Sequence, residues 1–333
     1  MLEAPDLQAK RLVTHLRDEY GLRVGALDFL PIGADVNTAV YRVSADDGSV
    51  TFLKLRRGPF DELSAAIPGF LSRQGVGHII APLATLAGHL WSRQEPWTVI
   101  LYPFVRGLDG YERELSQQQW IEFGAALRRI HAASIPDDIR DRLPRETWSP
   151  HWREQVRATM AQLRAGTFDD PIAAQLAAFL LSNAATVQQL VDVAGRLARE
   201  LQARPQELIL CHADIHAGNL LITGEGLLYI VDWDTAVLAP RERDLMYPGS
   251  GLGPGWDADR ATAWFYQGYG PAEVDEVGVA YYRCEREVED IAAFCAQILS
   301  TTSGEQDRRQ GLRYLMSSFQ PGGVIDIALQ KTC

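Results

Sequence analysis

The densest chemistry in this chain lies between Leu208 and Asp234, in LILCHADIHAGNLLITGEGLLYIVDWD. His212-x-Asp214 is followed by Asn219 and then by Asp232. These residue types at these spacings suit phosphoryl transfer. A carboxylate can orient a hydroxyl and take its proton late, because the transition state is loose. An amide oxygen and a second carboxylate, with phosphate oxygens and water, suit Mg2+. On this reading Asp214 faces the hydroxyl, Asn219 and Asp232 hold the metal, and His212 orders the loop. The alternative is a set of polar loop residues with no joint role. A lone HxD would leave that alternative the better reading. The full string HxDxxxxN, followed by a hairpin and a buried-looking IVDWD, reverses it.

The elements that must position these groups are legible nearby. Leu208–Leu210 is an apolar run that can deliver a strand end. Leu220–Thr223 and Leu227–Val231 flank Gly224-Glu225-Gly226, which predicts a hairpin that brings Asn219 to Asp232.

The strings HADIHAGN and IVD resemble the aminoglycoside phosphotransferase superfamily, the aminoglycoside and choline kinases related to protein kinases. Protein kinases carry Arg after the His, Lys two residues after the Asp, and Phe-Gly after the metal Asp; here the residues are Ala213, His216 and Trp233-Asp234. Those departures argue against a protein substrate. The resemblance implies an α+β, bilobal protein-kinase-like fold. A small N-terminal antiparallel sheet lobe would span 1–104, and a larger, mainly helical C-terminal lobe 105–333. It also implies ATP with Mg2+.

The resemblance gives further residues expected roles. Lys54, on the strand Val50–Leu55, would meet the α- and β-phosphates; a snorkelling lysine on an exposed strand face is the alternative. Its carboxylate partner would sit on the next helix, with Glu62 first and Asp61 second. The turn in Phe29–Val43 would lie over the phosphates and bring Asp35 to the nucleotide. It holds a single glycine and no GxGxxG, so by its residues alone an ordinary hairpin is the better reading. Trp97–Val105 would be an edge strand leading into a hinge, with Tyr102 and Phe104 at the adenine. Asp244 would support the catalytic loop. Asp234, Glu285 and Glu289 are candidates for substrate ammonium groups; the last two lie four apart on one helical face, which could equally be a solvated charged face.

His151-Trp152-Arg153, LAPRERDLM, FYQGYG and YYRCEREVEDIA narrow the resemblance to the spectinomycin phosphotransferase branch. The implied reaction is ATP-dependent phosphorylation of a hydroxyl of an aminocyclitol or aminoglycoside antibiotic, foremost spectinomycin. A small-metabolite kinase of the choline, homoserine or methylthioribose type is the alternative.

Composition agrees with this class. The chain has 333 residues, 47% hydrophobic, enough for a sizeable core, and a formal net charge of −11. An acidic surface disfavours nucleic acid and suits a small cationic substrate. Cys211, Cys284, Cys295 and Cys333 form no CxxC, which points to free thiols in a reducing cytoplasm. No apolar run reaches membrane-spanning length, and no obligate protein partner is evident.

Elsewhere the pattern predicts a helix from Pro5 to Tyr20 ended by Gly21, and a short or kinked helix around Pro68. It predicts a strand at Ile79–Leu83 paired near Leu90-Trp91. A helix should start at Ser116 and run to Ala132, with His131 structural. A loop spans Ile135–Trp152, and two or three helices follow to Ala203. The glycine-rich stretch 250–255 reads as a surface loop, 261–269 as a helix closed by glycine, and 281–291 as another helix.

Overall fold

The computed structural model describes residues 2–33, 35–248 and 258–330, so the stretch 250–255 lies outside the described residues. From the N-terminus the elements are α1 (Ala9–Tyr20), β1 (Val24–Leu30), β2 (Thr38–Ala45), β3 (Val50–Arg57), α2 (Leu63–Arg73), β4 (Ser92–Gln94), β5 (Trp97–Pro103) and β6 (Gly107–Asp109). Then come α3 (Gln117–His131), α4 (Asp137–Arg140), α5 (His151–Ala165), α6 (Pro171–Ser182), α7 (Ala184–Gln202) and β7 (Ile209–Cys211). After a 3-10 turn at Ala217–Asn219 follow β8 (Leu220–Thr223), β9 (Leu228–Ile230), β10 (Val237–Ala239), α8 (Glu242–Leu245), α9 (Ala258–Tyr269), α10 (Glu276–Leu299), α11 (Glu305–Ser318) and α12 (Val324–Gln330).

Two compact units result. The first comprises Met1–Pro144, Leu210–Val237 and Leu252–Pro271, the second Arg145–Ile209, Leu238–Gly251 and Ala272–Cys333. In the first unit an antiparallel sheet runs in the order β1-β2-β3-β5-β4. Strand alternation sorts β3: Leu53 and Leu55 enter a core with Leu12 and Leu16 of α1, while Lys54 and Arg56 share the opposite face. Gly21, at φ +69°, ends α1 as its sequence position predicts. The second sheet, β6-β8-β9, contains the predicted hairpin, with Leu220 opposite Ile230.

Three local expectations need correction. β5 is not an edge strand, because β4 covers its Trp97–Val99 half. Ile79–Leu83 makes no strand; Pro82 lacks a donor, and only Ile79 bridges, to Ile230. α2 runs on through Pro68, since its largely buried length is held by packing.

α3 starts at Ser116 with a complete capping box to Gln119. It packs on α9 through glycines: a Cβ on Gly268 would lie 1.8 Å from the Ile121 carbonyl oxygen, and one on Gly124 2.1 Å from that of Phe265. His131 is structural, its Nδ1 2.7 Å from the Tyr269 hydroxyl.

The second unit is helical. α5, α6, α7, α10, α11 and α12 share one core that includes Val156, Leu176, Leu190, Val288, Leu312 and Ala328. Among the described residues no single helix is long and apolar enough to cross a membrane. The α6–α7 pair, bent by 71°, meets that test together and lies in this core.

Candidate active site

The loop between β7 and β8 is held open by two residues in the left-handed region, Ala213 at φ +69° and, after the hairpin, Asp232 at φ +64°. Such conformations cost non-glycine residues on the order of 1–3 kcal/mol each and persist where surroundings over-determine them. His212 supplies that determination. It is fully buried, its Nε2 donates to the Val231 carbonyl at 2.9 Å, and its Nδ1 accepts from the Asp214 amide at 3.3 Å. Its ring also lies 4.7 Å from that of Trp233, and Thr235 Oγ1 donates to its carbonyl at 2.8 Å. One imidazole therefore ties the Asp214 loop to the Asp232 turn, the ordering expected of it.

The hairpin performs its expected task as well. The Val231 amide donates to the Asn219 carbonyl at 3.0 Å, which sets Asn219 and Asp232 at the same end of the ladder. The Asn219 side-chain nitrogen donates to the Asp214 carbonyl at 2.7 Å, so its oxygen is the atom left for a cation. Asp232 presents a carboxylate whose side chain is 49% exposed. One amide oxygen and one accessible carboxylate make an oxygen donor set that fits Mg2+, which takes few protein ligands and completes its shell with phosphate oxygens and water.

Lys54 is buried and meets Asp232 at 2.8 Å and Asp234 at 2.9 Å. Burial alone would favour the neutral amine; the two carboxylates outweigh it and raise its pKa. Desolvation likewise opposes the charged form of Asp232, and Lys54 more than offsets it, holding Asp232 below the usual aspartate range. The ammonium and the metal-type carboxylate thus keep each other ionised. Arg56, on the same face of β3, also pairs with Asp234.

One expected pairing is corrected here. Glu62 does not meet Lys54: it stands half-exposed at the N-cap of α2 and pairs with Arg142. The runner-up Asp61 accepts from the Leu63 amide at 2.9 Å. The buried ammonium takes its counter-charges from the Asp232–Asp234 turn instead. Asp234, expected at a substrate ammonium group, is engaged by Lys54 and Arg56.

Asp35 organises its own turn, accepting from the Asn37 amide at 2.8 Å and the Thr38 hydroxyl at 2.6 Å. Tyr102, at the end of β5, stacks edge-on with Phe52, and burial raises its phenol pKa. Phe104 lies beyond β5, with the Arg42 guanidinium 5.7 Å from its ring centre.

Asp244, Glu285 and Glu289 belong to the second unit. Asp244 is fully buried on α8. Glu285 is buried on α10, 3.4 Å from Arg153, and burial pushes its carboxyl up to about 7. Arg153 also donates to the Ala194, Trp148 and Ser149 carbonyls. That accounts for the His151-Trp152-Arg153 string as structure. Glu289 lies 3.6 Å from Arg243.

Sequence reading did not single out Arg56, although two residues beyond Lys54 on a strand means the same face. It also gave no role to Tyr111, which stacks on His216 with ring centres 5.8 Å apart.

The sheet, the lysine on β3 and the aspartate–asparagine–aspartate loop define a kinase-like phosphotransferase. The chain belongs to the phosphotransferase enzyme family, whose profile matches residues 28–277. Among solved structures, a spectinomycin phosphotransferase in complex with ADP and spectinomycin is 36% identical, with a TM-score of 0.90 over 98% of this chain and 99% of that one. An AMP-bound spectinomycin phosphotransferase is 35% identical, with a TM-score of 0.85 over 96% of this chain and 98% of that one. Protein StrN of Streptomyces griseus is 28% identical over 228 residues, 66% of this chain and 67% of its own length.

Proposed function

We propose that this phosphotransferase moves the γ-phosphoryl group of ATP to a hydroxyl of spectinomycin or a near relative among the aminocyclitols, in the cytoplasm, and so gives resistance. The observation that carries this is the end-to-end likeness, at 36% identity, to an enzyme bound to ADP and spectinomycin. A net charge of −11 suits a compact dicationic acceptor and offers nucleic acid no basic face.

The geometry of the first unit supports the following roles. Asp214 aligns the acceptor hydroxyl and takes its proton. Lys54 meets the nucleotide phosphates, releasing Asp232 from their mutual ion pair. Asn219 and Asp232 would hold Mg2+, which would supply charge stabilisation for the phosphates. Asp35 shapes the turn above the phosphates, and Tyr102 and Phe104 flank the adenine. His212 keeps the loop in register. Glu62 stands outside the nucleotide contacts. Rate enhancement then comes from positioning and charge stabilisation.

A panel of spectinomycin, kanamycin, choline and homoserine with MgATP tests the substrate. Coupled ADP release should be saturable with spectinomycin and near background with the other three. Turnover of choline or homoserine with none of spectinomycin would replace this reading with that of a metabolite kinase.

A further inference from the structure

We infer that His216, backed by Tyr111, is a positioning residue for the Asp214 carboxylate; the inference rests on the phosphotransferase reading above. The Gly218 amide donates to His216 Nδ1 at 3.0 Å, which makes Nδ1 an acceptor and places the ring proton of the neutral imidazole on Nε2. Nε2 lies 3.7 Å from Asp214 Oδ2. The side-chain nitrogen of Asn219 lies 3.5 Å from the same oxygen and 3.4 Å from His216 Nε2. Two N–H groups side by side therefore face Oδ2, near enough to close on it and set the plane of the carboxylate. Such contacts are commonly long before reactants bind and shorten in the ternary complex.

The imidazole is fixed in turn by what surrounds it. Tyr111 stacks on it at an interplanar angle of 25°, with its hydroxyl 3.5 Å from Nδ1. Tyr111 reaches this position because β6 and the turn after it press against the catalytic loop. The Gly110 amide donates to the Ala217 carbonyl at 2.9 Å, and a Cβ on Gly110 would lie 2.8 Å from that oxygen. Gly218 is needed for the same reason: a Cβ there would meet the His216 ring at 2.8 Å and the Tyr111 ring at 3.0 Å. Two glycines thus clear the space in which a tyrosine clamps a histidine against the reacting carboxylate. Protein kinases have a lysine two residues after the aspartate, a point charge; this chain has a flat donor locked in one tautomer.

His216→Phe keeps the stack and removes the donor, and His216→Gln returns an N–H near the position of Nε2. Steady-state kinetics with MgATP and spectinomycin should show kcat down by ~10–100-fold in the phenylalanine variant, with both KM values within about two-fold, and partial recovery in the glutamine variant. Tyr111→Leu, at a half-exposed site, should lower kcat several-fold without shifting the melting temperature. Wild-type kcat in His216→Phe, or a loss carried by KM alone, would overturn the inference. Asp214→Asn, run in parallel, separates the two levels. If that variant also turns over normally, the phosphotransferase reading of the loop fails; if it is inactive while His216→Phe is not, only the positioning role fails.

Discussion

Asp214, Asn219 and Asp232 come from one short segment, yet each is held by a different neighbour. Asn219 leans on the Asp214 carbonyl, Asp232 on Lys54, and both turns on the buried ring of His212. This separates their expected phenotypes. Asp214→Ala should lower turnover by roughly 10²–10⁴ while leaving MgATP affinity close to wild type, read by calorimetry beside kinetics. Asp232→Ala should instead weaken MgATP binding. It removes the carboxylate proposed for the metal and leaves the buried Lys54 one counter-charge short, with Asp234 still beside it. A variant of Asp214 that loses nucleotide affinity and turnover together would mean that the two carboxylates act as one structural unit. The HxDxxxxN spacing made the proposed reacting set legible, because the geometry of such a loop is local. The partner of Lys54 was not legible. An ion pair between residues 54 and 232 leaves no periodic trace, and helix order pointed to Glu62.

At the scale of elements, the helices and the hairpin were readable from caps and turns. Ser116 with Gln119 announces α3, Gly21 ends α1, and Gly224-Glu225-Gly226 folds β8 onto β9. What could not be read was where tertiary packing overrides local preference: α2 running through Pro68, and β4 forming at Ser92–Gln94 rather than at Leu90-Trp91. The α3–α9 crossing offers a direct test. Gly268→Ala places a Cβ against the Ile121 carbonyl and should cost roughly 2–3 kcal/mol through overpacking, visible as a lowered denaturation midpoint with an unchanged slope. α10 carries a pH effect. Glu287 is buried, and burial, with Asp290 adding to it, pushes its carboxyl up to about 8. A carboxyl raised above its unfolded value contributes stability that is complete below the unfolded pKa and is lost as pH rises through the folded one. Melting temperature should therefore fall between mildly acidic pH and pH above about 8, and Glu287→Gln should flatten that fall. An identical pH profile in the two proteins would remove Glu287 from the account.

For the whole molecule, composition set the class and little more. Net charge of −11, scattered cysteines and a large apolar fraction fit an acidic enzyme with a substantial core. They carry no information on how the chain divides. The structure groups the catalytic hairpin and α9 with the N-terminal sheet, and gathers α5–α7 with α10–α12 into a second unit. That grouping joins segments far apart in sequence, which residue patterns cannot register. Glu285 and Glu289 were likewise visible only as charges on a helix, whereas in the fold each is faced by an arginine.

Phosphorus NMR of spectinomycin incubated with MgATP and the enzyme tests the central claim most directly. A new phosphomonoester resonance, coupled to a ring proton of the drug and growing at least ~100-fold more slowly with Asp214→Ala, is the predicted result. Inorganic phosphate alone, or the same phosphomonoester formed at the wild-type rate by the alanine variant, would contradict it.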